Sequence, residues 1–292
     1  MSAMSTWSRL KASFVWSLKY LLRKQRVRFA LFWVLFTIVL AAVGPLITPY
    51  DPTQTAGPPR QPPCSKYWLG TDWFGFDLFT RVVYGLRVSL YVGVIAAIVG
   101  TTVGVLLGLV SGYFGGLVDE IVSFVVNLLL TIPPLLIVIL VLTYIGFRGL
   151  EFNGLLIGLL QWHWVARAVR SITKSLRSRD FVLVSRMSGL SAFETILNDI
   201  LPNMLSYVAL VFVLQFSSAV FFSVTLEFFG LVPGNIMSIG FILQQAVLWN
   251  AIQMNVWWWA IIPGILITLF LGSLYVISSS LDELFNPRLR GE

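Results

Sequence analysis

The sequence predicts an all-α membrane protein that crosses the bilayer six times and keeps both termini in the cytoplasm. The first observation behind this prediction is composition, since 57% of the 292 residues are apolar and only 11% are charged. A soluble domain carries about 25% charged residues and could not cover so much apolar surface. The second observation is the uneven placement of Lys and Arg along the chain. This composition excludes a cytosolic enzyme, a disordered regulator and a secreted disulfide scaffold.

Six apolar stretches are candidates to cross about 30 Å of hydrocarbon, which takes roughly 20 helical residues. They are Phe29–Ile47, Val88–Val110, Ile121–Gly146, Phe152–Val165, Leu205–Phe229 and Trp257–Ser279. The fourth is the weakest, because Arg167 follows it closely. The spans divide the chain into an N-terminal tail (1–28), a first transmembrane helix (29–47), a loop (48–87), a five-helix core (88–280) and a C-terminal tail (281–292).

The orientation follows from the basic residues. Fifteen of the 20 Lys and Arg residues lie in the two tails and in the loop 166–204. The positive-inside rule places these three segments in the cytoplasm and the loop 48–87 outside. The net charge of +7 is therefore explained by topology and needs no nucleic-acid partner. A single Cys64 excludes an intrachain disulfide, and a single His163 excludes a multi-histidine metal site.

The loop 166–204 contains the signals of two short helices joined by a glycine turn. Asp180 is placed to cap the first helix, since its carboxylate can accept N–H bonds that the first turn leaves open. Gly189 suits the left-handed turn after a helix end. Ser191 and Glu194 have the S-x-x-E spacing of a capping box that starts a second helix. Pro202 is expected to stop or kink that second helix.

Two interpretations of this segment remain open from its residues alone. It is either an amphipathic helix packed under the bundle or a docking surface for a cytoplasmic partner. The docking interpretation rests on the rigid turn, on Arg186 and on an apolar ridge, which comprises Val182, Val184, Met187 and Leu190.

The stretch from Arg179 to Asn203 resembles the EAA loop of ABC-importer permeases. That loop has an acidic-Ala-Ala triplet, a Gly four residues after the second Ala, an Ile and an I-L-P-N close. Gly189 matches the glycine, Ile196 matches the isoleucine, and the residues 200–203 match the close. Further motifs are similar to those of the second permease of dipeptide/oligopeptide importers. They include Tyr67–Leu90, Gly112–Asp119, the sequence IPPLL that starts at Ile132, and Leu281–Arg290.

The resemblance implies a type I ABC-importer permease in the inner (cytoplasmic) membrane of a prokaryote. Its implied partners are a second homologous permease, two ATP-binding subunits, an extracellular substrate-binding protein and membrane lipid, with no nucleic acid. ATP and Mg would bind to the partner ATPases, and the chain itself would hold no cofactor or metal and catalyse no reaction. The sequence contains no phosphate-binding motif of the form G-x-x-x-x-G-K-[ST].

The chain departs from the family pattern at the triplet, where Leu183, Val184 and Ser185 stand and the acidic residue is missing. Asp199 stands where His is usual, and Glu227 takes the place of a small Ser. Docking to the ATPase is therefore expected to depend more on shape and apolar contact than on a salt bridge.

The resemblance implies that the loop 166–204 couples the permease to the ATPases. Polar residues of the membrane spans are the candidates to line the transport path. The coupling candidates are Arg186, Met187, Gly189, Leu190, Ser191 and Glu194, with helix capping as the alternative role of Ser191 and Glu194. The path candidates are Asn127, Gln215, Ser217, Ser218, Ser223 and Glu227. Asn127 and Glu227 are the stronger of these, because polar groups at membrane depth are costly. A position at the outer membrane interface is the alternative for Glu227.

The expected cargo is a di- or oligopeptide, with an oligosaccharide or a metal chelate as alternatives, because the binding protein largely sets selectivity. A stand-alone secondary transporter is a more distant alternative. It would need intramembrane ionisable residues, and the spans offer almost none besides Glu227. A membrane-embedded enzyme is disfavoured, because the sequence lacks a nucleophile–His pair or a multi-ligand metal site.

Overall fold

The computed structural model describes residues 24–146, 149–232 and 236–285. For residues 284 and 285 it describes the backbone alone. The described α-helices are α1 Gln25–Ile47, α2 Leu78–Phe114, α3 Gly116–Thr131, α4 Pro134–Ile145, α5 Leu150–Arg177, α6 Asp180–Met187, α7 Ala192–Thr195, α8 Leu201–Phe228, α9 Ile239–Leu248 and α10 Trp257–Phe285. A π-helix, Ile196–Ile200, joins α7 to α8. The predicted all-α class is confirmed. Residues 1–23 of the N-terminal tail, Arg148 and residues 286–292 of the C-terminal tail lie outside the described residues.

Four helical stretches in the described part are long and apolar enough to cross a membrane: Gln25–Ile47, Leu78–Phe114, Ala192–Phe228 and Trp257–Glu283. The pair α3 and α4 adds a fifth if its 86° bend is counted within one span. The fourth predicted span, Phe152–Val165, lies inside α5 but is not among them, because polar and basic side chains interrupt its apolar character. The count of six spans therefore stays a prediction.

Most helices begin earlier than the apolar stretches suggested, and two of these starts change the predicted boundaries of the tail and the loop. The first starts at Gln25, inside the predicted N-terminal tail. The second starts at Leu78, so the end of the predicted loop 48–87 is helical. Asp77 explains this start, because its carboxylate accepts the N–H of Thr80 at 2.8 Å and caps the first turn of α2. Hydropathy marks where a helix meets lipid, and it does not mark where the helix begins.

Several helix ends meet at one end of the bundle. Lys24 and Arg26 at the start of α1 form ion pairs with Glu283 near the end of α10. Asp119 in the first turn of α3 forms an ion pair with Arg170 near the end of α5, and Arg170 Nη2 donates to Asp119 Oδ2 at 2.7 Å. An apolar cluster at this end joins α2, α5, α6, the π-helix and α8. The segment 166–204 with its basic residues lies here, and this is the predicted cytoplasmic end.

Close contact between α2 and α5 forms the centre of the bundle. Four glycines at four-residue intervals, Gly100, Gly104, Gly108 and Gly112, form a stripe on α2. A Cβ atom added at Gly104 would lie 2.5 Å from Val165 Cβ, and one at Gly108 would lie 2.7 Å from Val169 Cβ. Small residues at this spacing let membrane helices approach each other closely, and packing then replaces the hydrophobic effect as the source of stability.

A Gly108→Leu substitution is therefore expected to destabilise the bundle by about 1–3 kcal/mol, the usual range for overpacking. Thermal unfolding of the purified chain in detergent measures this effect. The matched control is Gly272→Leu in α10, where an added Cβ meets no atom within 4 Å among the described residues. Equal melting temperatures for the two variants would contradict the assigned role of the glycine stripe.

The segment between α1 and α2 is folded tightly over the opposite end. Asp72 is buried, pairs with Arg81 of α2 and accepts the N–H groups of Phe74 at 2.8 Å and Phe76 at 3.0 Å. Burial raises the pKa of the Asp72 carboxyl, and the Arg81 guanidinium and the two N–H groups partly offset that rise. Trp258 Nε1 donates to the Thr71 carbonyl at 3.0 Å, which ties the segment to α10.

Candidate coupling surface and transport path

A helix–turn–helix segment lies at the predicted cytoplasmic end, as the sequence predicted. The first helix, α6, ends at Met187, and Gly189 follows with a φ of 85°. Only glycine adopts this left-handed conformation without strain. The N–H of Leu190 donates to the Ser185 carbonyl at 3.3 Å and closes the turn. The backbone therefore turns sharply between α6 and α7.

The capping box that the sequence predicted is confirmed. The N–H of Ser191 donates to Glu194 Oε2 at 2.8 Å, and the N–H of Glu194 donates to Ser191 Oγ at 3.3 Å. Both side chains are thus occupied in starting α7. A direct contact of either residue with an ATPase stays a prediction.

Two predicted features of this segment are wrong. Asp180 is the first residue of α6 rather than its cap, and the cap position is held by Arg179 without a side-chain bond. Pro202 does not stop the second helix, which continues from Ala192 to Phe228, and the alternative that Pro202 kinks this helix stays a prediction. The π-helix just before Pro202 changes the hydrogen-bonding register, and Pro202 falls in the first turn of α8, where a missing N–H is tolerated.

One face of the segment anchors it to the bundle. Val182 is completely buried and packs with Ile196 and Ile200 in the apolar cluster at this end. The assignment of Val182 to the apolar ridge of the docking interpretation is wrong, because this side of α6 faces the bundle. Through this cluster α6 is packed together with α2, α5, the π-helix and α8.

The opposite face is apolar and exposed. Met187 is 88% exposed, Phe193 69% and Val184 61%. We call this face the coupling surface, and its residues are Phe181, Val184, Met187, Leu190 and Phe193. The predicted candidates Arg186 and Gly189 are also exposed. Sequence reasoning missed Phe181 and Phe193, although two phenylalanines beside capping signals were visible in the sequence.

Two of the predicted path residues lie where α5 and α8 meet. Ser218 is exposed, and its Oγ donates to Gln161 Oε1 of α5 at 3.3 Å. One turn away, Gln215 is completely buried, and neither atom of its amide has a hydrogen-bond partner among the described residues. Its Nε2 lies against Gly100, where a Cβ would approach within 2.3 Å. Ser217 is half-buried on the same helix.

Ser223 and Glu227 form a separate buried cluster near the far end of α8. Ser223 Oγ donates to Glu227 Oε1 at 2.9 Å, and Ser89 Oγ of α2 donates to Oε2 at 3.4 Å. The N–H of Gly240, in the first turn of α9, donates to Oε2 at 3.3 Å. Glu227 is only 2% exposed and therefore packs inside the protein, while its depth relative to the outer membrane interface stays a prediction. Its carboxyl group joins three helices.

Asn127 lies apart from both groups. It is exposed on α3, and its Oδ1 accepts a hydrogen bond from Arg167 of α5. The two residues line a cavity of about 240 Å³ together with Ser123 and Arg170. The structure therefore does not bring the six predicted path residues to one place.

The sequence comparisons identify the family. The sequence pattern of the family described as "Binding-protein-dependent transport system inner membrane component" matches residues 104–291. The chain belongs to this family. It is 32% identical over 272 residues to the dipeptide transport system permease protein DppC of Bacillus subtilis (strain 168), which covers 92% of this chain and 84% of that protein. A Brucella suis biovar 1 (strain 1330) protein, provisionally named a peptide transport system permease protein, is 30% identical over 97% of this chain and 94% of its own length.

Membership places the chain among multi-pass inner-membrane permeases with the type I ABC-importer fold. In this permease, sequence reasoning missed Ser89 and Gln161, which contact the predicted residues Glu227 and Ser218. Gln161 carried a signal, since it is a polar residue inside an apolar stretch. Ser89 carried none, because a serine in a membrane helix commonly bonds its own backbone.

Proposed function

We propose that this permease is one of two homologous membrane subunits of an ATP-driven importer for di- and oligopeptides. The observation that best supports it is the coupling surface, where Met187 is 88% exposed at the basic end of a membrane bundle. An apolar, aromatic patch outside the bundle is typical of a protein interface. Two ATPase subunits, one on each permease, are the proposed occupants, with a substrate-binding protein at the outer face.

In the proposed mechanism, α6 moves as a rigid body with the ATPase that is bound to it. ATP and Mg bind in the partner ATPases and supply the energy for closing and reopening them. This chain catalyses no reaction and transmits the movement. Because Val182 is buried among residues of α2, α5 and α8, a displacement of α6 tilts those helices as rigid bodies. The transport path then changes from open to the cytoplasm to open to the outside, or the reverse.

The proposed path runs beside the α5–α8 contact. Ser218 and Gln161 supply polar groups there, and a path through lipid requires such groups, because hydrocarbon cannot satisfy a peptide's N–H and C=O groups. The buried Glu227 cluster is not on this surface. We assign it to holding α9 rather than to contacting the cargo.

Peptides are favoured over the other cargoes by the relatives, whose names refer to dipeptide or peptide transport. No specific contact in the described residues favours an oligosaccharide or a metal chelate. A stand-alone secondary transporter would leave the coupling surface without a partner.

Affinity purification of the tagged chain from its native membrane tests the proposal. We expect a second permease and ATPase subunits to accompany it, and the reconstituted complex to import labelled dipeptides or oligopeptides into vesicles that contain ATP. A chain that crosslinks to no ATPase through a cysteine placed at the exposed Ser188 would contradict the coupling role. Import of oligosaccharides without import of peptides would contradict only the cargo.

A further inference from the structure

A small cavity lies where the coupling segment meets the ends of α2 and α5. Its volume is about 320 Å³, and it is lined by Tyr113, Phe114, Arg177, Arg186, Leu190 and Ala192. We propose that this cavity receives an acidic side chain of the ATPase subunit, held between the two guanidinium groups. The inference rests on the proposed function and names the chemistry of the contact.

Within the part of the chain that the structure describes, both arginines line the cavity without an acidic partner. Among the described residues, the ion pairs of the chain involve neither Arg177 nor Arg186. Arg177 is half-buried, and its guanidinium carbon lies 5.8 Å from the centre of the Tyr113 ring. No hydrogen bond to another described residue occupies the N–H donors of Arg177. Two positive groups on one small cavity repel each other, and a carboxylate would relieve this repulsion.

The positions of the arginines explain how they remain in place before a partner binds. Arg177 lies in the last turn of α5, and Arg186 lies in the last turn of α6. A helix end of this kind carries partial negative charge and favours a cation. The guanidinium group also presents a planar set of donors that binds a carboxylate through two bonds. The cavity is therefore already arranged for an anionic group.

The location of the cavity favours a protein partner over a lipid headgroup. Three of its lining residues, Arg186, Leu190 and Ala192, belong to the coupling segment, which is α6, α7 and the turn between them, and Leu190 is also part of the coupling surface. An ATPase that covers Met187 would therefore lie beside this cavity. The triplet Leu183-Val184-Ser185 offers no acidic residue, whereas the cavity offers Arg177 and Arg186, so in the proposed contact the permease supplies the positive charge and the ATPase the negative one.

The test compares ATPase retention by purified variants over a range of NaCl concentrations. The double variant Arg177→Gln, Arg186→Gln is expected to retain at least about tenfold less ATPase at low salt, which corresponds to about 1.4 kcal/mol, and to lose its salt dependence. The matched control is Arg179→Gln, since Arg179 is exposed nearby but does not line the cavity. A double Lys variant keeps both charges and is expected to recover most of the retention.

Three other results of this experiment would each contradict one of the claims made above. If the double Gln variant retains ATPase as well as Arg179→Gln does, the acidic contact is refuted while the proposed function stands. If it retains the ATPase but loses bound phosphatidylglycerol, measured by mass spectrometry of the purified protein, the cavity holds a lipid instead. If the wild-type chain retains no ATPase, the proposed function is refuted and this inference with it.

Discussion

A Met187→Glu variant is expected to lower ATPase retention and peptide uptake at least about tenfold, a loss of 1.4 kcal/mol or more in binding. Met187 is 88% exposed, so the change leaves the packing of the bundle intact. In the assembled importer, however, the new carboxylate would be buried in an apolar contact, and an unpaired buried charge is costly. The measurements are the ATPase recovered with the tagged permease and the initial rate of peptide uptake by reconstituted vesicles.

Met187→Leu is the matched control, because it keeps an apolar side chain of similar volume. This variant should behave like the wild type in both measurements. The thermal unfolding of both variants in detergent should also match the wild type, since the side chain is exposed. A Glu variant that binds ATPase normally would show that Met187 lies outside the contact. Loss of binding in the Leu variant as well would indicate a requirement for shape rather than for apolar character.

The coupling segment was largely predictable because its signals are local. The Ser191–Glu194 capping box and the left-handed Gly189 each depend on residues within one or two turns, so their spacing in the sequence is enough. The side of α6 that is buried was not predictable in the same way. Val182 and Val184 are equally apolar, and only packing against Ile196 and Ile200 separates them.

The membrane spans were predictable where a helix is apolar along its whole length. They were less predictable where prolines or basic residues interrupt the apolar stretch. The break between α3 and α4 coincides with Pro133 and Pro134, and the resulting 86° bend divides what hydropathy treats as one apolar stretch. The helix α5 is longer than its apolar part, because its last turns carry the basic residues that pair with Asp119. Hydropathy averages over such features, and the tertiary contacts determine them.

The burial of Glu227 inside the protein could not be predicted from the sequence for a related reason. Its donors come from Ser89 in α2 and Gly240 in α9, which are 138 and 13 residues away along the chain. No pattern within α8 indicates that these groups meet. The carboxyl group could therefore be recognised as unusual, while its partners could be found only from the fold.

A Glu227→Leu variant is expected to release α9 from α2 and α8. The substitution removes the acceptor for Ser89, Ser223 and the N–H of Gly240. The two hydroxyls can turn to their own helix backbones, but the N–H of Gly240 is left without an acceptor, and an unsatisfied buried group costs about 1–3 kcal/mol. Hydrogen–deuterium exchange of residues 236–248 should become about tenfold faster, which corresponds to 1.4 kcal/mol.

Thr225→Val is the matched control, because the Thr225 hydroxyl lies on the same helix and, among the described residues, bonds to the carbonyl of Phe221 at 2.8 Å and to no other group. It should leave exchange in 236–248 unchanged. Glu227→Gln keeps one carbonyl oxygen and should fall between the wild type and the Leu variant. Faster exchange throughout the bundle would indicate general unfolding, whereas a change confined to 236–248 assigns Glu227 to the attachment of α9. Exchange as slow as in the wild type would show that packing alone holds α9, with Gly240 against α8 as the decisive contact.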